Sequence, residues 1–385
     1  MMSRSYDVVV VGGRLAGAAT GLLLGRAGLD VLVVERARYG SDTFSTHAFM
    51  RAGVIQLHKW GLLDEIVHAG TPAVRRTVLR YGEEQEIVDI KPTLGAPALY
   101  APRRWLLDRV LADAAMRAGA DVLFETAVSR LLRGDDGTVH GVELRDRSGR
   151  TRSVTAPMTV GADGARSLVA RSVGATSYRR GRNAAAFVGG YFSRVEADGY
   201  QWLYNHGASA GIIPTNGGQV SAWVAVPSNR FPAARQLPAK GFWAAFDHVA
   251  PDWAERLRRG ALDGPIRGFP GIPGYLKQPY GSGWALVGDA GYFKDPITAH
   301  GMTDALRDAE LLADAIVRGL GSGHLADELE RYRELRDRLS IELLDLADRV
   351  AGFDWTLAQL RDLLLAMSAA MKAEVHHLTA PLAAA

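Results

Sequence analysis

The most constraining stretch of the chain is residues 8–36, VVVVGGRLAGAATGLLLGRAGLDVLVVER. Residues 6–11 carry four consecutive valines, the pattern of a parallel strand buried on both faces. A glycine-rich turn follows, then small residues from about 16 to 27 that read as a helix stopped by Gly28. Val31–Val34 is a second buried strand, and it ends in Glu35. Strand, glycine turn, helix and strand together make one βαβ unit, which commits the chain to an α/β fold around a parallel sheet. The turn departs from Gly-x-Gly-x-x-Gly at its middle place. Gly12 and Gly17 fill the outer positions and Arg14 the inner one. Glycines there allow a tight turn and close helix–strand packing, and the helix N-terminus offers free N–H groups to a phosphate. Arg14 adds a cation beside them, and Glu35 is placed to take both hydroxyls of a ribose. An adenine dinucleotide suits this unit; the turn alone does not separate FAD from NAD.

The chain is 385 residues long, more than one hydrophobic core accommodates. Residues 53–69 read as helix interrupted at Gly61, and 74–81 with 86–90 as a hairpin about Gly82. Pro102 opens a helix over 103–117, stopped by Gly119. Residues 122–124, 128–132 and 139–145 read as short strands, and 158–162 as another buried one. From 183 to 227 the texture changes: AFVGGYF, YQWLYNH, AGIIP and VSAWVAVP are rich in aromatics and glycine, as in an antiparallel sheet. Residues 283–287 return to the buried-strand style. After Gly301 the pattern is helical, with Met302, Ala305, Leu306, Ala309, Leu312, Ala313 and Ile316 on one face. The closing HHLTAPLAAA reads as a loose tail.

Several function classes are excluded or disfavoured. With no cysteine, the chain has no disulfide, thiolate metal site, cysteine nucleophile or cysteinyl flavin link. His47, His58 and His68 lack helical metal-ligand spacing, so no metal is expected. The net charge is +3, and cations alternate with acids, as in ELERYRELRDRL, which reads as solvated helix surface rather than a nucleic-acid face. No stretch approaches the ~20 apolar residues of a membrane span, so no stable membrane insertion is expected. The N-terminus runs almost directly into a strand, so a cytoplasmic location is expected.

Two further stretches extend the first: VGADGARSLVAR (160–171) and WALVGDAGYFKDPITAHGMTDALRDAELLADAI (284–316). In this order and at these separations the three resemble the FAD-dependent aromatic hydroxylases, the class A flavoprotein monooxygenases. They are also similar to the wider superfamily with flavin halogenases and geranylgeranyl reductases. The resemblance spans residue 6 to about 320. It implies that Gly12, Gly17 and Glu35 hold the ADP half of FAD, with Arg14 and Arg36 alongside. Arg104, in RWLLDRVL, would contact the pyrophosphate. Asp163-Gly164 matches the motif linked to FAD and the nicotinamide cofactor, and Gly288-Asp289 the motif whose acid binds the ribityl chain. Pro296 would lie beside the flavin ring, and Gly301-Met302 would open a helix aimed at its N1–C2 carbonyl edge. A helix N-terminus there suits the anionic reduced flavin. Three positions depart from the hydroxylase pattern: Arg14 and Ala299 stand where glycines are usual, and Thr303 where Asn is usual. The Trp-x-Trp-x-Ile-Pro signature of tryptophan halogenases is not apparent.

The implied architecture is a Rossmann-type FAD-binding domain with an inserted antiparallel-sheet substrate domain and C-terminal helices. Residues 1–73, 98–182 and 274–320 would form the FAD domain, 74–97 and 183–273 the substrate domain, and 321–385 the C-terminal helices and tail. Arg51, Trp202, Tyr204 and Trp223 are substrate-contact candidates. His47 and His206 are candidates for a base that deprotonates a phenol. Lys294 and His300 flank the flavin proline and read equally as charge-tuning groups or solvated loop residues. The implied reaction is hydroxylation of a small aromatic or polyketide-like substrate with NADPH or NADH and O2, through a flavin C4a-hydroperoxide. The alternatives are flavin-dependent reduction of carbon–carbon double bonds and a flavin-binding protein without turnover.

Overall fold

The computed structural model describes residues 4–93, 95–230 and 238–383. The chain begins with β1 (Val8–Val11), α1 (Leu15–Arg26), β2 (Val31–Val34), α2 (Arg51–Lys59), α3 (Leu63–His68), β3 (Arg76–Tyr81), β4 (Glu84–Asp89) and α4 (Arg104–Arg117). Next come β5 (Asp121–Leu123), β6 (Ala127–Arg133), β7 (Val139–Arg145), β8 (Thr151–Thr155), β9 (Met158–Gly161), α5 (Leu168–Ser172) and β10 (Ser177–Arg180). Then follow β11 (Ala185–Ser193), β12 (Tyr200–Asn205), β13 (Ala208–Pro214), β14 (Gln219–Pro227), α6 (Pro238–Val249), α7 (Pro251–Arg259) and β15 (Ala261–Phe269). The last part holds β16 (Tyr275–Lys277), β17 (Tyr280–Gly281), β18 (Trp284–Leu286), β19 (Tyr292–Phe293), α8 (Gly301–Ser322), α9 (Leu325–Ala351) and α10 (Leu357–Ala383).

The valine run becomes the centre of a six-stranded sheet of order β17-β18-β9-β1-β2-β5. β1 pairs in parallel with β2 and β9, and β9 with β18. Both faces are covered, which explains four apolar residues in a row. Val8 and Val10 pack with Leu22 and Leu24 of α1. Val9 and Val11 pack on the other side with Val142 and Val154 of the small sheet β6-β7-β8. The fold is α/β, with a Rossmann-type core.

A seven-stranded sheet, β15-β11-β14-β13-β12-β3-β4, brings the hairpin β3-β4 to the later strands through a parallel β3–β12 pairing. Its two faces differ. Val188, Phe192, Leu203 and Val224 pack under Phe242 and Phe246 of α6 and Trp253 of α7. Phe187, Tyr200, Trp202, Tyr204 and Trp223 face the other way, into the same buried cluster as Ile297, Ala299 and Met302.

Two expectations are corrected. HHLTAPLAAA is not a loose tail: α10 runs on to Ala383, because Glu374 and Leu378 of that helix are buried. Its last two residues, 384 and 385, lie outside the described residues. The stretch ELERYRELRDRL, in α9, is not solvated throughout. Arg336 is fully buried and donates to the Tyr178 hydroxyl, to the Lys277 carbonyl at 3.2 Å and to Asp337 at 2.7 Å. No helix among the described residues is long and apolar enough to cross a membrane.

Candidate cofactor-binding and active site

Parallel pairing assembles the site. Val34, Val11, Gly161 and Leu286 share one rung across β2, β1, β9 and β18. The residues just beyond that rung are Glu35, Gly12, Asp163 and Gly288-Asp289, so all three sequence motifs meet at the carboxyl edge of one sheet. In open α/β folds that edge is where ligands bind. Two glycines are required sterically. Gly12 has φ +101°, and a Cβ there would sit 2.5 Å from the Ala162 carbonyl oxygen. A Cβ on Gly17 would lie 1.7 Å from the Gly12 oxygen. Arg14 has φ −85° and ψ −161°, extended backbone that any residue adopts, so backbone conformation alone demands no glycine at the middle place. Its guanidinium donates to Ser41 Oγ at 3.0 Å and lies 4.0 Å from Asp108.

Glu35 is buried, and its two oxygens accept from the Gly13 and Ala37 amides at 2.8 and 2.7 Å. The carboxylate is thereby oriented into a pocket lined by Gly13, Arg14, Tyr39, Asp108 and Phe124. Arg36, beside it, is exposed. Arg104 grips Asp108 with two nitrogens at 2.9–3.1 Å. Burial pushes the Asp108 carboxyl up, and Arg104 and Arg14 pull it back. Sequence reasoning assigned Asp108 no role; the signal was its position four residues after Arg104 on one helix face.

Asp163 Oδ2 accepts from the Leu168 amide at 2.5 Å, and Gly164 follows with φ +76°. The other oxygen, Oδ1, is buried with no partner among the described residues. The Asp289 carboxylate likewise has no hydrogen-bond partner among them, although its backbone oxygen accepts from the Tyr275 hydroxyl at 2.6 Å. Burial pushes Asp289 up to about 6, against the pull of Arg104. An FAD fits these residues. Glu35 and Asp289 offer acceptors to hydroxyls, the glycine turn leaves room only for backbone beside a diphosphate, and Arg104 supplies the cation.

The segment from Asp295 to Met302 is strained and tightly held. Asp295 accepts from the Ile297 amide at 3.0 Å and the Ala185 amide at 2.7 Å, tying the Pro296–Thr298 turn to β11. Burial lifts its carboxyl to about 7. Ala299, at a usual glycine position, has φ +49° and ψ 30°, the left-handed region. α8 then starts at Gly301 with no side-chain cap, and Gly301 borders open space while Met302 and Thr303 are buried. Free amides therefore point out of that helix end. Lys294 and His300 are not solvated loop residues; both are buried in an ionic cluster behind it.

The remaining candidates separate into two groups. Trp202, Tyr204 and Trp223 lie on one sheet face and share a buried cluster with Ile297, Ala299 and Met302, with Trp202 and Trp223 ring centroids 6.0 Å apart. His47 is also buried there, bonded to Tyr191 of β11. Arg51 instead donates to the Lys91 carbonyl and the Thr93 hydroxyl at 2.8 and 2.9 Å, bracing the segment after β4. His206 is not brought to the others: it sits exposed on the β12–β13 turn, its carbonyl 2.9 Å from His248 of α6.

A family model described as an FAD binding domain matches residues 5–347. The chain belongs to this FAD-binding family. It is an FAD-dependent oxidoreductase. One relative, digeranylgeranylglycerophospholipid reductase 2 of Methanococcoides burtonii, is 25% identical over 343 residues, covering 87% of this chain and 80% of that protein. The flavin-dependent brominase Bmp2 superposes with a TM-score of 0.82 at 20% identity, over 97% of this chain and 93% of that one. P. aeruginosa PqsL in complex with 2-aminobenzoylacetate gives 0.78 at 23% identity, over 96% and 100%.

Proposed function

We propose that the chain is an FAD-dependent monooxygenase that hydroxylates a small aromatic or polyketide-like compound, using NADPH or NADH and O2. The observation that carries this reading is the wall of Phe187, Trp202, Tyr204 and Trp223 on one sheet face, in the same buried cluster as Ile297, Ala299 and Met302. Flat rings offer π-faces to a flat conjugated substrate. The Trp223 Nε1–H is buried with no acceptor among the described residues, a donor left for a substrate oxygen.

FAD, when bound, supplies the two-electron and oxygen chemistry. The chain's own groups do the rest. Glu35, Arg104 and Asp289 bind and orient the cofactor along the carboxyl edge. The uncapped end of α8 presents amides and a positive dipole end to negative charge at the pyrimidine edge. The buried aromatic face keeps water from the reacting centre. This reading needs no side-chain nucleophile.

A second reading, reduction of a carbon–carbon double bond, is supported by the reductase named among the sequence relatives. The test is product mass with labelled oxygen. FAD-loaded protein, NADPH and a panel of phenols under 18O2 should give a product carrying one labelled oxygen and nothing without O2. A product that gains two hydrogens, with or without O2, replaces hydroxylation by reduction.

A further inference from the structure

Behind the uncapped end of α8, six ionisable side chains fill one closed space. Lys294, His300, Asp304, Arg307, Asp308 and Glu374 are each exposed by 5% or less. Lys294 and Arg307 pair with Asp304, and Arg307 also donates to Asp308 at 2.7 Å and to Ser340 of α9 at 2.8 Å. Tyr292 lies against both cations, and Asp289, Arg336 and His377 of α10 face the cluster from outside. His300, Asp304 and Glu374 each bring an atom within 4.8 Å of the others. Lys294 and Arg307 already occupy those carboxylates, which makes this an ion-pair cluster rather than a metal site.

His300 stands between competing partners. Its Nδ1 is 3.0 Å from Lys294 Nζ and 3.1 Å from Asp304 Oδ1. The ammonium can donate only to an unprotonated Nδ1; the carboxylate accepts only from a protonated one. Glu374 adds a second carboxylate, at the other ring nitrogen. It comes from α10, beyond the stretch matched by the family, and its Oε2 lies 3.0 Å from His300 Nε2, though not in line for a hydrogen bond. Its Oε1 lies 3.2 Å from Arg307. Three carboxylates then face Lys294, Arg307 and a third cation, the imidazolium, and the charges cancel. Burial and Lys294 oppose that imidazolium; Glu374 and Asp304 overcome them and raise its pKa.

We propose that Glu374 is a positioning residue of the C-terminal helix that keeps His300, the residue preceding α8, protonated, so that the charge behind that helix end stays fixed when the flavin is reduced. This rests on placing the flavin pyrimidine edge at that helix end. The test compares wild type with Glu374→Gln and Glu374→Asp. By NMR, Glu374→Gln should weaken His300 proton affinity about tenfold or more, the effect of losing one close counter-charge, in FAD-free and FAD-loaded protein alike. In the loaded protein, midpoint potential against pH should steepen across neutral pH, from one proton per two electrons toward two. Glu374→Asp should restore the wild-type slope. A Glu374→Gln protein that loses thermal stability while His300 affinity and the slope stay unchanged overturns the proposal. If Gln does not fold, the wild type decides: a His300 that stays protonated above pH 7 in the FAD-free titration supports the proposal, and a His300 already neutral at pH 7 overturns it. The FAD-free titration stands even if the flavin lies elsewhere, so the two failures are read apart.

Discussion

The Nε2 of His47 lies 2.6 Å from the Tyr191 hydroxyl, and its Nδ1 lies 3.1 Å from the Pro102 carbonyl. A carbonyl can only accept, so Nδ1 carries the proton and Tyr191 donates to Nε2. Burial, then Arg103 and Arg104, push the imidazole down to about 3. His47 also has φ +61°, left-handed backbone for a non-glycine residue. This neutral ring clamps the segment between β2 and α2 onto β11, and strain of this kind gathers at ligand sites. A residue so tied is a wall of the site; it leaves no titrating base at neutral pH.

His47 should therefore show itself in acid stability. Its folded pKa is below the unfolded value of 6.5, so the unfolded chain binds the extra proton between 6.5 and 3. The contribution is full above 6.5 and is lost as pH falls through that window, by about 1.4 kcal/mol per pH unit for one fully coupled proton. Denaturant titrations at pH 7 and pH 5 should show a smaller drop for His47→Asn than for wild type. Equal drops contradict the assignment.

Asp289 is expected to trade stability for binding. Its folded pKa, about 6, exceeds the ordinary 3.8, so the FAD-free fold loses stability as pH rises from 3.8 to 6 and stays level above. Asp289→Asn should stabilise FAD-free protein at pH 7 by about 1–2 kcal/mol, the full shift being discounted because the half-buried group meets cleft solvent. FAD affinity of wild type should weaken below pH 6 as the carboxylate protonates. Thermal melts and FAD titrations across pH 5–8 check both.

Ala299 holds left-handed backbone with a Cβ. Replacing it with glycine removes that clash at the expense of a more flexible unfolded chain. Ala299→Gly should raise stability by about 0.5–1 kcal/mol in urea unfolding. A loss of stability shows that the alanine methyl packs better than its backbone strains.

The sheet that carries the site was legible because a strand buried on both faces leaves an uninterrupted apolar run, as at Val8–Val11. Glu35, Asp163 and Asp289 were legible because each closes such a strand. What the sequence hid depends on distant partners. β8 is an edge strand of mostly exposed polar residues, and nothing in Thr151–Thr155 alternates. α6 and α7 were missed although Phe242, Phe246 and Trp253 cover a whole sheet face. Arg336 looked solvated and Glu374 carried no signal, since the groups that neutralise them lie on other elements. His206 looked like part of the aromatic wall, yet the strand ends one residue earlier and turns it outward.

The account's central claim is that one FAD lies along the carboxyl edge, from Glu35 to the end of α8, with Asp289 on its ribityl chain. The most direct measurement is the flavin content of purified wild type and Asp289→Ala by visible absorbance, with circular dichroism as the check on folding. The account predicts one FAD per wild-type chain and a folded, nearly colourless variant. Full occupancy in Asp289→Ala, or a wild type that takes up no FAD, contradicts it.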